Sequence, residues 1–212
     1  MIIKVVCAGV DDFSKMYSPD DDEYLVGVDQ GAETIIRNKL SPDLSIGDFD
    51  SGSINKIRNK SKSLIIYHPD KDKSDLELAL IHLASKDFQE QHNTKKLLRK
   101  IILYNATGRR LDHYRSVINL LIRYTHLPIV LLDKHNRIEV VNANTVFKKN
   151  DYKYISFFAI DPDTKISLKG FKYNLDNAPL SIYDSFGLSN EILEKEGTLI
   201  TNNKKILVFR SN

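Results

Sequence analysis

Cysteine is almost missing from this chain. Cys7 is the single one in 212 residues, so no internal disulfide can form and no cysteine-built zinc site is available. Such usage fits a reducing cytoplasm. Long apolar runs are missing too: stretches such as Leu127–Leu132 fall far short of the roughly 20 residues a membrane span needs. The opening residues Met1–Val6 are too short an apolar stretch for a signal peptide and lack its basic leader. Charge of one sign is nowhere concentrated. Charged residues make up 28% of the chain, yet the formal net charge is only +3, with Lys and Arg spread throughout. The basic stripe interleaved with aromatics that marks a nucleic-acid binder is absent. There is no internal repeat and no low-complexity linker. The expectation is a cytoplasmic protein with neither a nucleic-acid nor a membrane partner.

What is present is enough apolar material, 42% of residues, to build a real core in one large or two small domains. Ile2–Ala8, Tyr24–Val28, Leu64–Tyr67, Lys100–Tyr104 and Pro128–Leu132 are short, apolar and bounded by polar residues or glycine, as buried strands are. Between them, Leu76, Leu80, Ile81 and Leu83, and then Leu111, Val117, Ile118, Leu121 and Ile122, recur at helical spacing. Strand and helix in alternation predict βαβ units and a mostly parallel sheet. After about Asp133 the helical period fades. Arg137–Asn142, Thr145–Lys148, Tyr154–Ile160, Lys165–Leu168, Leu180–Tyr183 and Lys205–Arg210 become strand candidates. Turn chemistry such as Lys149-Asn150-Asp151 and Asn177-Ala178-Pro179 separates them. That texture predicts a small all-β sandwich or barrel.

Four polar clusters follow apolar runs in the first part, where ligands of parallel sheets bind. In Asp29-Gln30-Gly31, glycine would admit close backbone approach to a ligand and open a helix; a cap and a bend explain the same residues. In Gly47-Asp48-Phe49-Asp50-Ser51, carboxylates two residues apart share one side of an extended chain. They suit a hard cation such as magnesium, with Phe49 turned into apolar packing. In Lys71-Asp72-Lys73-Ser74-Asp75, Ser74 and Glu77 form a capping box that starts a helix at Asp75. Capping leaves Asp72 and the two lysines unexplained. In Asn105–His113, Gly108 and free helix-start amides offer a phosphate seat, and Arg110 offers a fork of donors. Without a Gly-Lys-Ser/Thr this is no Walker A loop. Together the clusters predict phosphoryl transfer at one edge of one sheet.

At these clusters, and at Ser156, Leu168–Tyr173 and Gly187-Leu188-Ser189-Asn190 in the second part, the sequence resembles the thiamine pyrophosphokinase family. Gln30, Asn105 and Arg109 stand where that family commonly has glycine, and Ser74 stands for threonine. The resemblance implies a Mg2+-dependent enzyme that moves the pyrophosphoryl unit of ATP onto thiamine, giving thiamine diphosphate and AMP. It implies magnesium on Asp48, Asp50 and Asp75. Asp29, Gly31, Lys71, Gly108, Arg110, Asp112 and His113 would hold ATP, and Ser189 and Asn190 would meet the aminopyrimidine. It further implies a homodimer with the active site at the subunit interface. Asp72, Asp75 and Asp112 are the expected catalytic carboxylates, with Asp72 or Asp75 taking the proton of the acceptor alcohol. Tyr183 and Phe186 could wall the cationic ring, or lie in the β core.

The expected fold is therefore α/β. A mostly parallel, Rossmann-like ATP/Mg domain spans 1–134, and a smaller all-β sandwich for thiamine spans 135–212. A non-catalytic sensing module and a metal phosphohydrolase on the same carboxylates are the alternatives.

Overall fold

In the N-terminal strand, Ile3 and Val5 are fully buried and so is Lys4 between them. A strand covered on both faces belongs to the middle of a parallel sheet. A computed structural model describes every residue except 11–12, 51–53 and 109, and the side chains of 95 and 96. Ser51 and Arg109 therefore lie outside the described residues. The chain is mixed α/β and divides into two units, Met1–Leu120 with His126–Lys134, and Leu121–Thr125 with His135–Asn212.

The first unit opens with β1 (Ile2–Val6), α1 (Phe13–Met16), β2 (Glu23–Val28), α2 (Gln30–Arg37) and β3 (Leu44–Gly47). Next come α3 (Ile54–Lys60), β4 (Ser63–Ile66), α4 (Asp75–Ala84), α5 (Lys86–Gln91) and α6 (Thr94–Leu97). It closes with β5 (Lys100–Tyr104), α7 (Leu111–Arg123), whose last three residues are assigned to the second unit, and β6 (Ile129–Leu132). Its strands pair in parallel in the order β4-β3-β2-β1-β5-β6. The order reverses at β1, which has β2 on one side and β5 on the other. At such a reversal of strand order, ligands of parallel sheets bind beyond the carboxyl ends of the strands.

Lys4 would be a costly guest in such a strand if it were unpaired. Its Nζ donates to Glu23 Oε2 at 2.6 Å and to the Ser18 carbonyl, and lies 4.7 Å from the centroid of the Tyr17 ring. Tyr17 Oη in turn donates to Glu23 Oε1.

The second unit contains β7 (Asn136–Val141), β8 (Thr145–Lys148), β9 (Tyr154–Ala159) and β10 (Lys165–Lys169), followed by β11 (Leu175–Pro179), β12 (Glu196–Thr201) and β13 (Ile206–Ser211). Antiparallel pairing gives β7-β13-β9 and a four-stranded sheet, β11-β10-β12-β8. One core, including Phe147, Phe157, Leu168, Phe171, Leu199 and Val208, draws on strands of both sets.

Three expectations change. The turn expected at Asn177-Ala178-Pro179 is part of β11, and Leu180–Tyr183 is not a strand. β11 is an edge strand, which tolerates Pro179, and Asn177, with φ 45°, sits beside a bulge in the pairing with β10. β3 and β12 are strands that periodicity does not reveal. The 4 residues of β3 bury Ser45, whose Oγ pairs with Ser61 Oγ at 2.7 Å. In β12, Gly197 faces the Phe171 ring, which would lie 2.4 Å from an added Cβ.

Candidate active site

The crevice is floored by two loops joined through their backbones. Cys7 N donates to Tyr104 O at 3.0 Å, Gly9 N to Asn105 O at 2.8 Å and Val10 N to Thr107 O at 3.1 Å. The contact is close enough that a Cβ on Gly9 would lie 2.1 Å from Asn105 O. Sequence reasoning passed over Gly9, although a glycine just beyond a buried strand was a signal for it. Asn105 has φ 54° and is buried. Glycine takes such a left-handed backbone most easily and asparagine next, which accounts for Asn105 at a glycine position. Gln30 has no positive φ and can carry a side chain as it opens α2.

Above this floor lies a cavity of about 700 Å³, within the ~300–1,000 Å³ usual for small-molecule sites. Val10, Leu76, Val117 and Leu120 form apolar wall, while Asp29, Gln30, Asp75, Arg110 and His113 supply polar groups. Gly108 also lines it, and an added Cβ there would meet nothing closer than 3.5 Å. Cys7 lines it as well, and burial pushes its thiol up to about 12, so it stays protonated and is a poor nucleophile near neutrality.

Beside the cavity three carboxylates converge. One oxygen from each of Asp29, Asp48 and Asp50 lies within 4.8 Å of the others. Asp29 has φ 49° and its side chain makes no capping hydrogen bond; the residue bends the chain but does not cap α2. Its amide donates to Ile46 O at 2.9 Å, and a Cβ on Gly47 would stand only 3.0 Å from the Asp29 Cα. That close approach brings Asp29 to Asp48. The extended segment expected at 48–50 is corrected: Phe49 has φ 52°. The side chain of Phe49 still packs, against Ala32 and Ile57, and anchors the turn that presents its two acidic neighbours.

The electrostatics are those of crowded acids. Burial raises the Asp29 carboxyl above the ordinary range; Asp75, Asp48 and Asp50 add to this, and the Gln30 amide opposes it. Asp75 is raised chiefly by burial, with Lys71 opposing. Asp48 is lowered by the hydrogen bond from Lys71. Lys71 Nζ lies 2.5 Å from Asp48 Oδ2 and 3.2 Å from Asp75 Oδ1. Burial works against its charge, and the two carboxylates outweigh that and raise it.

Asp75 begins α4, and the Ser74 Oγ accepts from Glu77 N at 3.2 Å as the N-cap. Asp75 lies outside the three-carboxylate cluster and reaches the site from across Lys71. Asp72 is exposed and does not line the cavity. Arg110 and Asp112 are both exposed and pair with each other, Nη2 to Oδ2 at 2.6 Å and Nε to Oδ1 at 3.3 Å. Gly31 does not line the cavity. A Cβ there would lie 1.8 Å from the Val6 carbonyl oxygen, so its missing side chain serves helix-on-strand packing.

In the second unit, Ser189 is exposed with φ 56°, and its amide donates to Ser156 Oγ at 3.0 Å. Asn190 is 4% exposed and its side chain is spent internally. Nδ2 donates to Tyr173 O, and Oδ1 accepts from the amides of Tyr173 and Glu191. Its side chain brackets the backbone beside Ser189. Tyr183 and Phe186 are not core: they are 90% and 51% exposed.

Residues 18–131 match the family model described as Thiamin pyrophosphokinase, catalytic domain, and residues 143–207 match Thiamin pyrophosphokinase, vitamin B1 binding domain. Among characterised relatives, the Thiamine pyrophosphokinase of Bacillus subtilis is 30% identical over 91% of this chain and 89% of its own. The crystal structure of the Bacillus subtilis enzyme superposes with a TM-score of 0.84 at 28% identity, covering 100% of this chain and 99% of that one. The Geobacillus thermodenitrificans Thiamin pyrophosphokinase structure gives 0.80 at 29% identity, covering 100% and 98%. With a catalytic-domain match over more than half its length and a relative this similar almost end to end, the chain belongs to the thiamine pyrophosphokinase family.

Proposed function

We propose that this chain transfers the pyrophosphoryl group of ATP to the hydroxyethyl oxygen of thiamine, yielding thiamine diphosphate and AMP. The observation that carries this reading is the convergence of Asp29, Asp48 and Asp50 beside a cavity at the sheet's switch point. The donor set fits magnesium: hard oxygens, few carboxylates, and room for water or phosphate to complete the shell. Asp48 and Asp50 would hold the ion with Asp29, and Asp75, paired with Lys71, stands close enough to join them. The bound ion supplies charge neutralisation at the phosphate oxygens.

The chain's own residues do the rest. Gly108, the amides at the start of α7 and His113 seat the phosphates, and Arg110, held by Asp112, joins them. Asp75 is better placed than exposed Asp72 to accept the acceptor's proton. It lines the cavity, and burial raises its carboxyl toward the useful range. Asp112 acts by orienting Arg110. Ser189 and Asn190 meet the aminopyrimidine of thiamine.

In the same reading, residues 1–134 form a Rossmann-like nucleotide and metal domain, and 135–212 form a β-sandwich for thiamine. The two matched family ranges and the shared core of the second unit's sheets support this division. The enzyme works as a homodimer with subunit-interface active sites, an assembly favoured by the exposed Ile182, Tyr183, Phe186 and Leu188. No helix among the described residues is long and apolar enough to cross a membrane. The single cysteine fits action in the cytoplasm.

The test incubates the protein with Mg-ATP, with and without thiamine, and resolves AMP, ADP and thiamine diphosphate. AMP and thiamine diphosphate in equal amounts are expected, only when thiamine is present. ADP as product, or turnover without thiamine, refutes the reading. Asp50→Ala should abolish turnover with thermal unfolding unchanged; substantial remaining activity removes Asp50 from the metal site.

A further inference from the structure

Lys71 is positioned unusually for a residue assigned to phosphate. Its ammonium is not turned to the cavity but sits between two acids, 2.5 Å from Asp48 Oδ2 and 3.2 Å from Asp75 Oδ1. The side chain is 15% exposed. It pairs with two of the four acids here, Asp48 and Asp75, while Asp29 and Asp50 complete the three-carboxylate cluster with Asp48. Asp75 Oδ1 is buried and meets Lys71 as an ion pair at 3.2 Å, with no well-formed hydrogen bond to it. That oxygen is an acceptor waiting for a better partner. Four acids this close repel one another without a counter-charge, and a divalent ion at Asp48 would compete with the ammonium for the same oxygen.

We propose that Lys71 is a built-in placeholder cation. It holds Asp48 and Asp75 in the metal-free site, is displaced when the divalent ion takes Asp48, and is thereby released toward the phosphates that arrive with the metal. The inference rests on the metal reading above and deepens it. A lysine suits the task because its charge rides on a flexible four-carbon stem and can move without disturbing the backbone. The site then stays folded without metal, and the phosphate-seeking charge is offered only after the ion is in.

The experiment titrates Mn2+ alone, without nucleotide, into the wild-type protein, Lys71→Met, Lys71→Gln and Asp50→Ala. Bound metal is read from the loss of the free-ion electron paramagnetic resonance signal, and thermal unfolding is followed in EDTA. Removing the competing charge should tighten Mn2+ binding by about tenfold. The metal-free variants should also unfold several degrees lower, roughly 2–4 °C for each kcal/mol lost, with Mn2+ restoring most of the difference. The Gln variant keeps a polar side chain, so it carries the measurement if the Met variant does not fold. If the wild type binds Mn2+, Asp50→Ala does not, and both Lys71 variants bind with unchanged or weaker affinity, the placeholder role is overturned while the metal site stands. If wild type and Lys71 variants all fail to bind Mn2+, the metal reading falls and this inference with it.

Discussion

Replacing Gly31 by alanine puts a methyl carbon 1.8 Å from the Val6 carbonyl oxygen and 2.6 Å from the Val6 carbonyl carbon. Both are backbone atoms of β1, so no side chain can swing away. Ordinary contact begins at 3.4 Å, and α2 must retreat from the sheet by about 1.6 Å to restore it. Overpacking against an interior costs about 1–3 kcal/mol, and a rigid backbone obstacle puts this case at about 3. At roughly 2–4 °C per kcal/mol for a chain of this size, the melting temperature should fall by roughly 6–12 °C. Asp29 immediately precedes α2, so the retreat also pulls one carboxylate from the cluster and should weaken both Mn2+ binding and turnover. Differential scanning fluorimetry, Mn2+ titration and the AMP assay together read these effects. A glycine kept for close ligand approach would behave otherwise: the KM for ATP would rise while melting stayed put. A melting temperature within a degree or so of wild type would refute the packing argument.

Lys4→Met should destabilise by about 2–3 kcal/mol in urea unfolding, since it leaves half-buried Glu23 against Tyr17 without its cation; Lys4→Met with Glu23→Gln should recover part of that loss. Asn105→Gly should melt at or near the wild-type temperature, whereas Asn105→Val should cost about 1–2 kcal/mol through its left-handed backbone and raise the KM for ATP. Because Asp29 and Asp75 are raised, mainly by burial, their protonation favours the fold below the ordinary carboxyl range, and that contribution is lost as pH rises through their folded values. Mg2+ relieves the resulting strain, so the Mg2+-induced rise in melting temperature should be largest near neutrality and shrink on acidification; a rise that does not change with pH would contradict this. Cys7 in the folded protein should react with a thiol reagent at pH 8 far more slowly than in urea, because burial both covers it and holds it protonated.

The legible parts of the fold were those whose environment is uniform. β1, β2 and β5 are covered on both faces and read as mostly apolar runs despite Lys4 in β1, and α4 announced its start through Ser74 and Glu77. β3 and β12 stayed hidden because Ser45, Gly47 and Gly197 interrupt them, and each interruption is explained only by a distant partner: Ser61, Asp29 and Phe171. Pro179 looked like a turn because local chemistry does not say that a strand lies at an edge. In the site, Asp48 and Asp50 were visible as neighbours. Their geometry was not, since a left-handed Phe49 follows from its burial against Ala32 and Ile57. Asp29 could be suspected, but its arrival beside Asp48 depends on the absence of a side chain at Gly47, a helix and a strand further along the chain. Asn190 was visible as a polar residue of the Gly187–Asn190 motif. Its three backbone partners were not, since they come from Tyr173 and Glu191 on folding.

The hydrogen bonds from Gly9 to Asn105 and from Val10 to Thr107 also govern when the cavity can exist during folding. β1 can pair with β2, and β2 with β3, from residues made early in synthesis. The cavity floor cannot form until β5 has docked beside β1 and its loop has met the first one, a closure of nearly a hundred residues. A nucleotide in the cell therefore has no floor to bind while only the first four strands are made. It can stabilise the finished unit but cannot template the early steps, and variants that slow β5 docking should be rescued by ATP only after that docking has occurred.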